Sequence, residues 1–146
     1  MVWKPNVTVA AVIEQAGRYL LVEEMIDGQA VLNQPAGHLE EGETLPQAVT
    51  REVLEETGWR FEPQMLVAIQ LYRVPTAALT FLRFAFTGRI HRQENRRLDE
   101  GILATHWLSR AEIEAQREKL RSPLVLESIA AYESGCRYPL NILRSL

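Results

Sequence analysis

The chain reads as an α+β domain, with a mixed β-sheet lying between helical layers. Three observations predict this. Apolar runs of strand length fill the early and middle chain, chiefly Val7–Ile13, Arg18–Met25, Met65–Val74 and Leu79–Ile90. Helical segments are inserted between these runs and follow them, a pattern that packs helices onto a sheet. A length of 146 residues, 47% hydrophobic and 24% charged, suits a soluble globular fold with a proper core, so residues 1–146 are expected to form a single domain.

Val7–Ile13 is a continuous apolar run and reads as a buried strand. Gln15–Gly17 turns the chain into a second strand, Arg18–Met25. Asp27-Gly28 marks another turn before a short strand at Ala30–Leu32. A loop over Gln34–Gly42 leads to a helix whose start is set by Thr44-Leu-Pro-Gln47, a capping box with Pro46 in the first turn. Gly58 supplies its C-terminal stop. The strand-rich stretches Met65–Val74 and Leu79–Ile90 come next, then Ala104–Leu108. Ser109-Arg-Ala-Glu112 is a second capping box opening a short helix, and Ser122-Pro123 caps a last helix running to Gly135.

Composition narrows the function. A formal charge of −3 argues against a nucleic-acid binder working through bulk positive field. An anionic substrate would have to be met by a few placed cations and a metal. One cysteine excludes an internal disulfide framework and fits a reducing cytoplasm. Val7–Ile13 is too short to cross a membrane, and Lys4 with Pro5 makes a poor signal peptide, so a cytoplasmic protein without membrane partners is expected. No nucleophile motif is present: Cys136 stands alone, and neither Gly-x-Ser-x-Gly nor a P-loop occurs.

The inserted helix carries the strongest chemical signal. With Leu45 at 0° and about 100° per residue, Leu45, Ala48 and Val49 share a sector from roughly 300° to 40°. Glu52, Glu55 and Glu56 fall at about 340°, 280° and 20°, inside that same sector. An ordinary surface helix sets its acids opposite its apolar stripe. Here the stripe turns acidic partway along. Three carboxylates within a turn repel one another, and in a partly dry cleft either a pKa moves or a cation binds. An oxygen-only cluster suits a hard divalent ion, Mg²⁺ or as a substitute Mn²⁺; the absence of His and Cys argues against zinc. A solvated acidic face is the bland alternative on the angles alone.

Gly37, Glu43, Arg51, Glu52, Glu55, Glu56 and Gly58, with apolar Val53 and Trp59, resemble a complete Nudix box. A chance match to seven fixed positions is about 10⁻⁶ over a chain of this length. The one departure is Trp59, where an aliphatic residue is more usual. The resemblance implies the Nudix fold, an α/β/α sandwich, and a metal-dependent hydrolase of a diphosphate linked to another moiety. It implies that Glu52, Glu55 and Glu56 hold metal and that the Gly37 carbonyl contributes a further oxygen. Arg51 would aim a carboxylate, Glu43 would brace the loop, and Glu52 is the candidate base or orienter of the attacking water. Such chemistry needs positioning, charge neutralisation and an activated water more than a covalent intermediate.

Flanking segments are similar to the NudJ phosphatase branch of that family: Lys4-Pro5-Asn6-Val7-Thr8-Val9-Ala10, Gln34-Pro35-Ala36-Gly37-His38-Leu39-Glu40, Phe81-Leu82-Arg83-Phe84, Arg121-Ser122-Pro123-Leu124-Val125, Glu127-Ser128-Ile129 and Arg137-Tyr138-Pro139-Leu140. The likeness weakens through residues 64–78 and 91–105. It implies release of orthophosphate from nucleoside tri- and diphosphates, and hydrolysis of hydroxymethylpyrimidine pyrophosphate and thiamine pyrophosphate to monophosphates. It also implies a monomer. The competing readings are a pyrophosphohydrolase of another specificity, acting on nucleoside triphosphates or ADP-ribose, and a catalytically inactive binding module.

Other residues are weighed singly. Arg83 shares a strand face with Phe81 and Ala85 and must find an anion, either a structural carboxylate or a substrate phosphate. His38 is expected to stabilise the loop as a donor. Of Asp99 and Glu100, Glu100 is weighed as an extra acid near the metal against simple loop solvation. Arg89, Arg92, Arg96 and Arg97 read as an exposed turn, and Ser122 as a cap. Trp3, Tyr19 and Tyr72 are expected to pack in the core.

Overall fold

The structure, a computed structural model, describes residues 1–146. Its strands are β1 (Asn6–Val12), β2 (Glu14–Gln15), β3 (Arg18–Ile26), β4 (Gln29–Asn33), β5 (Ala36–His38), β6 (Trp59–Arg73), β7 (Thr80–Gln93), β8 (Ile102–Ser109) and β9 (Tyr138–Pro139). Its helices are α1 (Leu45–Thr57), α2 (Arg110–Ala115) and α3 (Leu124–Glu133). A mixed sheet runs β5-β1-β7-β6-β9, with β1 and β7 parallel and the other pairs antiparallel. Beside it stands an antiparallel sheet centred on β3, with β8 along one edge and β2 and β4 sharing the other.

Two cores explain why β1 reads as one unbroken apolar run. Val9 and Ala11 face α1 and join Val49, Val53, Phe61, Leu66 and Phe86 in the first core. Val12, one step out of phase, enters the second with Leu21, Leu32, Ile113, Val125 and Ile129 beneath α2 and α3. A strand covered on both faces loses the alternation of a half-exposed one. Helices therefore sandwich the sheet layer from both sides.

The local signals of α1 are realised. Thr44 Oγ1 accepts from the Gln47 N–H, the Gln47 side chain accepts from the Thr44 N–H, and Gly58 closes the helix at φ 79°. A Cβ at Gly58 would also lie 2.9 Å from the Glu94 carbonyl oxygen. The capping box of α2 is likewise complete between Ser109 and Glu112. Several boundaries differ from the sequence reading: the short strands β2 and β9 add to those expected, and β8 begins at Ile102. β6 starts at Trp59, directly after the helix, because its Pro63 is accommodated at a register shift rather than ending the strand. β7 extends to Gln93 as its partner. Ala36–His38, expected as loop, pairs with β1 as β5, a segment too short to show any periodicity.

Candidate active site

The C-terminal half of α1 carries the acids, and β5 lies against them. Arg51 joins the helix to the preceding loop. Its Nε and Nη2 donate to the two Glu43 carboxylate oxygens at 2.6 and 3.0 Å, a bidentate pair. Nη1 donates to Glu52 at 2.7 Å and to Glu55 at 2.8 Å, and Nη2 also reaches the His38 carbonyl at 3.0 Å. Glu43 accepts in addition from the Glu40 N–H at 2.9 Å, so it ties the loop to Arg51. That guanidinium holds the Glu43 carboxyl below the usual range. His38 enters this lattice through its carbonyl, as an acceptor, and not through its ring as expected.

Glu52 and Glu56 are buried while Glu55 is only half-buried. Burial pushes the Glu52 carboxyl up to about 7, against the pull of Arg51. Burial pushes Glu56 up to about 9, although its Oε1 accepts from the Ala36 N–H at 3.0 Å. The charges of Glu52, Glu24 and Asp99 add to that rise. Glu52 packs directly on Gly37: a Cβ built there would lie 2.1 Å from the Glu52 Cδ. Only a residue without a side chain lets that carboxylate occupy its place.

Carboxylate oxygens of Glu52, Glu55 and Asp99 come within 4.8 Å of one another. The structure thus sorts the acids differently from the helix angles alone. Glu56 bonds the Ala36 N–H and Glu52 meets Glu55 and Asp99, while both Glu52 and Glu56 line the cavity. Asp99 is placed by its N–H donating to the Glu55 carbonyl at 2.9 Å. Glu100, the candidate offered by the sequence, lies outside this group, while its neighbour Asp99, itself exposed, is the acid brought in. The sequence offered no periodic signal there because the segment before β8 is irregular. An oxygen-only set of this density, with two carboxyls pushed upward, fits a hard divalent cation.

A cavity of about 460 Å³ opens from the acids. Gly37, Glu40, Glu52 and Glu56 line one end, and Tyr72, Phe81, Arg83 and Arg121 lie along the rest. Arg83 is 3% exposed, and its Nη1 and Nη2 donate to Ser128 Oγ at 3.2 Å and Asn33 Oδ1 at 3.0 Å. Both partners are neutral. The structural carboxylate considered for Arg83 is not in contact with it; Glu127 acts only at longer range, through Gln70, which bonds both Glu127 and Ser128. Burial accordingly draws the Arg83 guanidinium down to about 10. A buried cation facing a cavity without a contacting anion is suited to an anionic ligand.

The remaining candidates separate cleanly. Tyr72 lines the cavity and Tyr19 packs in the second core, but Trp3 is 67% exposed because it precedes β1 in unpaired chain. Ser122 Oγ accepts from the Leu124 N–H and also faces the cavity. Arg89 and Arg92 stand on β7 rather than in a turn, and with Arg96 and Arg97 they are exposed and line none of it. No helix is long and apolar enough to cross a membrane.

Comparison with known proteins places this geometry. Residues 3–127 match the model of the NUDIX domain. Phosphatase NudJ of Escherichia coli K12 is 45% identical over 142 residues, spanning 97% of this chain and 92% of that protein. A NUDIX hydrolase from Nitrosomonas europaea superimposes with a TM-score of 0.96 at 50% identity, covering 98% of each chain. The NUDIX domain of Shewanella oneidensis NrtR, solved with ADP ribose, has a TM-score of 0.74 at 17% identity over 91% of this chain and 89% of that one, a likeness of fold alone.

Proposed function

The chain belongs to the Nudix family as a hydrolase of phosphoric anhydride bonds in small phosphorylated molecules, and from that premise we propose that it releases orthophosphate from nucleoside tri- and diphosphates. In the same reading it hydrolyses hydroxymethylpyrimidine pyrophosphate and thiamine pyrophosphate to monophosphates, as a cytoplasmic monomer formed by residues 1–146. The observation that carries this is the 45% identity to Phosphatase NudJ along 97% of the chain.

Mg²⁺, with Mn²⁺ as a substitute, is the proposed cofactor. Glu52, Glu55 and Glu56 would hold it with the Gly37 carbonyl, and Asp99 joins them because its carboxylate already meets those of Glu52 and Glu55. The ion supplies charge neutralisation at the phosphates and a lowered pKa for the attacking water. Glu52 is the proposed base or orienter. Arg51 at 2.7 Å fixes the direction of the Glu52 carboxylate. Arg51 is itself anchored by Glu43, so the orienting bond is preorganised, and Gly58 ends the helix that carries Arg51, Glu52, Glu55 and Glu56. Arg83, buried in the cavity wall, would grip a phosphate oxygen.

Turnover of GTP, GDP, hydroxymethylpyrimidine pyrophosphate, thiamine pyrophosphate and ADP-ribose with Mg²⁺ tests the reading. Orthophosphate from the nucleotides and monophosphates from the pyrimidine and thiamine compounds are expected. Preferential cleavage of ADP-ribose to AMP would replace it with a pyrophosphohydrolase of another specificity.

A further inference from the structure

Glu24, on β3, is a half-buried acid in the wall of the same cavity, outside the group formed by Glu52, Glu55 and Asp99. It makes no ion pair within contact distance. The Asn33 side chain and Arg121 stand near it, and both draw its carboxyl down. Desolvation raises its carboxyl above the usual range. Asn33 is fixed in orientation, since its Oδ1 is occupied by Arg83 at 3.0 Å, which leaves the amide nitrogen to face Glu24. A carboxylate offers about four lone-pair sites, more than one amide can fill. The group is therefore an acceptor held in place, half stripped of water and largely unfilled.

The surroundings say what would fill it. Phosphates are expected at Glu52, Glu56 and Arg83, with Glu24 near enough for its charge to act on Glu56, which leaves the organic group of the substrate to the part of the cavity lined by Ile26, Tyr72, Phe81 and Leu124. There Tyr72 stands directly opposite Phe81 across adjacent strands, so the two rings share one face and form an apolar platform with Ile26 and Leu124 close by. A planar heterocycle resting on such a platform presents its edge to the polar wall. On that wall Glu24 is an acceptor with spare capacity, and only a donor can satisfy it. An edge made solely of acceptors would leave the carboxylate both buried and repelled.

Resting on the reading that this cavity holds the substrate, we infer that Glu24 is a specificity-determining residue that accepts a hydrogen bond from an amino or imide N–H on the substrate's heterocycle. The substrate class is then diphosphates of nitrogen heterocycles that carry an N–H donor on the exposed edge. Asn33 is a positioning residue: it aims Glu24 and spaces it from Arg83.

The test compares guanine with unsubstituted purine, which has the same bicyclic shape and no N–H donor on its six-membered ring. Affinities of GMP and purine riboside monophosphate are measured by calorimetry for the wild type and Glu24→Gln, so the outcome does not depend on turnover. Ratios of kcat/KM for GDP and purine riboside diphosphate are measured in parallel, together with the Mg²⁺ concentration for half activity. The wild type is expected to favour guanine at least tenfold by both ratios. Glu24→Gln, which offers one acceptor and one donor, should reduce that preference to threefold or less with the Mg²⁺ midpoint unmoved. Asn33→Ala should erode the preference in the same direction. Equal preference in the wild type and Glu24→Gln overturns the inference while leaving the hydrolase reading intact. So does equal loss on both ligands with a shifted Mg²⁺ midpoint, which would make Glu24 a metal residue. Failure of the wild type to bind either monophosphate overturns it as well. Failure to release phosphate from GDP, with the binding preference present, would instead count against the proposed reaction alone.

Discussion

Replacing Gly37 by alanine isolates the packing of β5 against Glu52. The added Cβ would stand 2.1 Å from the Glu52 Cδ and 2.2 and 2.4 Å from its oxygens, so to regain ordinary carbon contact the carboxylate must withdraw by about 1.4 Å. Gly37 lies in a strand paired with Val9 and does not need the left-handed region, so alanine adds no backbone strain and slightly favours the strand. The cost falls on Glu52. Its 2.7 Å bond to Arg51 lengthens or breaks, and its aim at the cavity is lost. A displacement of about 1 Å at a reacting centre costs about 10²-fold, or about 2.7 kcal/mol in the barrier. Steady-state phosphate release from GDP should therefore show kcat lowered about 10²-fold for Gly37→Ala, with KM changed far less. Thermal melting should move by only a few degrees, since no core residue is touched. In a Glu52→Ala background the same change should have almost no further effect, because the clashing group is gone. A Gly37→Ala enzyme within about threefold of wild-type kcat would refute the reasoning.

Glu52→Gln and Glu56→Gln should each lower turnover at least ~10²-fold, and activity within a few-fold of wild type in both would sink the metal-site assignment. Asp99→Asn should raise the Mg²⁺ concentration for half activity several-fold with kcat at saturation little changed; an unmoved midpoint removes Asp99 from the site. Arg83→Met should raise KM about tenfold while shifting thermal stability by only a few degrees, because no contacting carboxylate is left unpaired; unfolding with unchanged KM would make Arg83 purely structural. For the metal-free protein, the raised Glu56 and Glu52 carboxyls mean that the folded state binds more protons than the unfolded one. Their contribution is complete below the unfolded pKa of about 4.5 and is lost as pH rises through about 7 and then about 9, with a limiting slope of about 1.4 kcal/mol per pH unit for each proton. Urea melts should thus show falling stability from pH 6 to 9 and a larger gain from Mg²⁺ at the upper end; flat or rising stability contradicts it.

Local signals in the sequence reached far, and their limits are physical. Thr44, Gln47 and Gly58 bracket α1 because caps are short-range hydrogen-bond devices between residues three or four apart. The angular argument correctly turned Glu52 and Glu56 inward, since both are buried. It could not separate them: their directions differ by only about 40°, and the division is made by β5, which offers Glu56 an N–H and Glu52 the bare face of Gly37. Asp99 escaped because a single backbone bond to Glu55, across 44 residues of chain, brings it in. Arg83 was legible as a cation needing an anion. That its immediate partners would be Ser128 and Asn33 depends on how α3 and β4 pack on β7, which no pattern within the strand encodes. The first half of β6 was hidden by Pro63, a residue that a bulge tolerates and an alternation rule does not.

The central claim is a metal-dependent hydrolysis that frees single phosphates, and the products from GTP test it most directly. Phosphorus NMR of GTP incubated with Mg²⁺ and the enzyme, with Glu52→Gln as the blank, resolves orthophosphate from pyrophosphate. Orthophosphate appearing with GDP and then GMP, absent from the blank, is the predicted result. Pyrophosphate released together with GMP would contradict it.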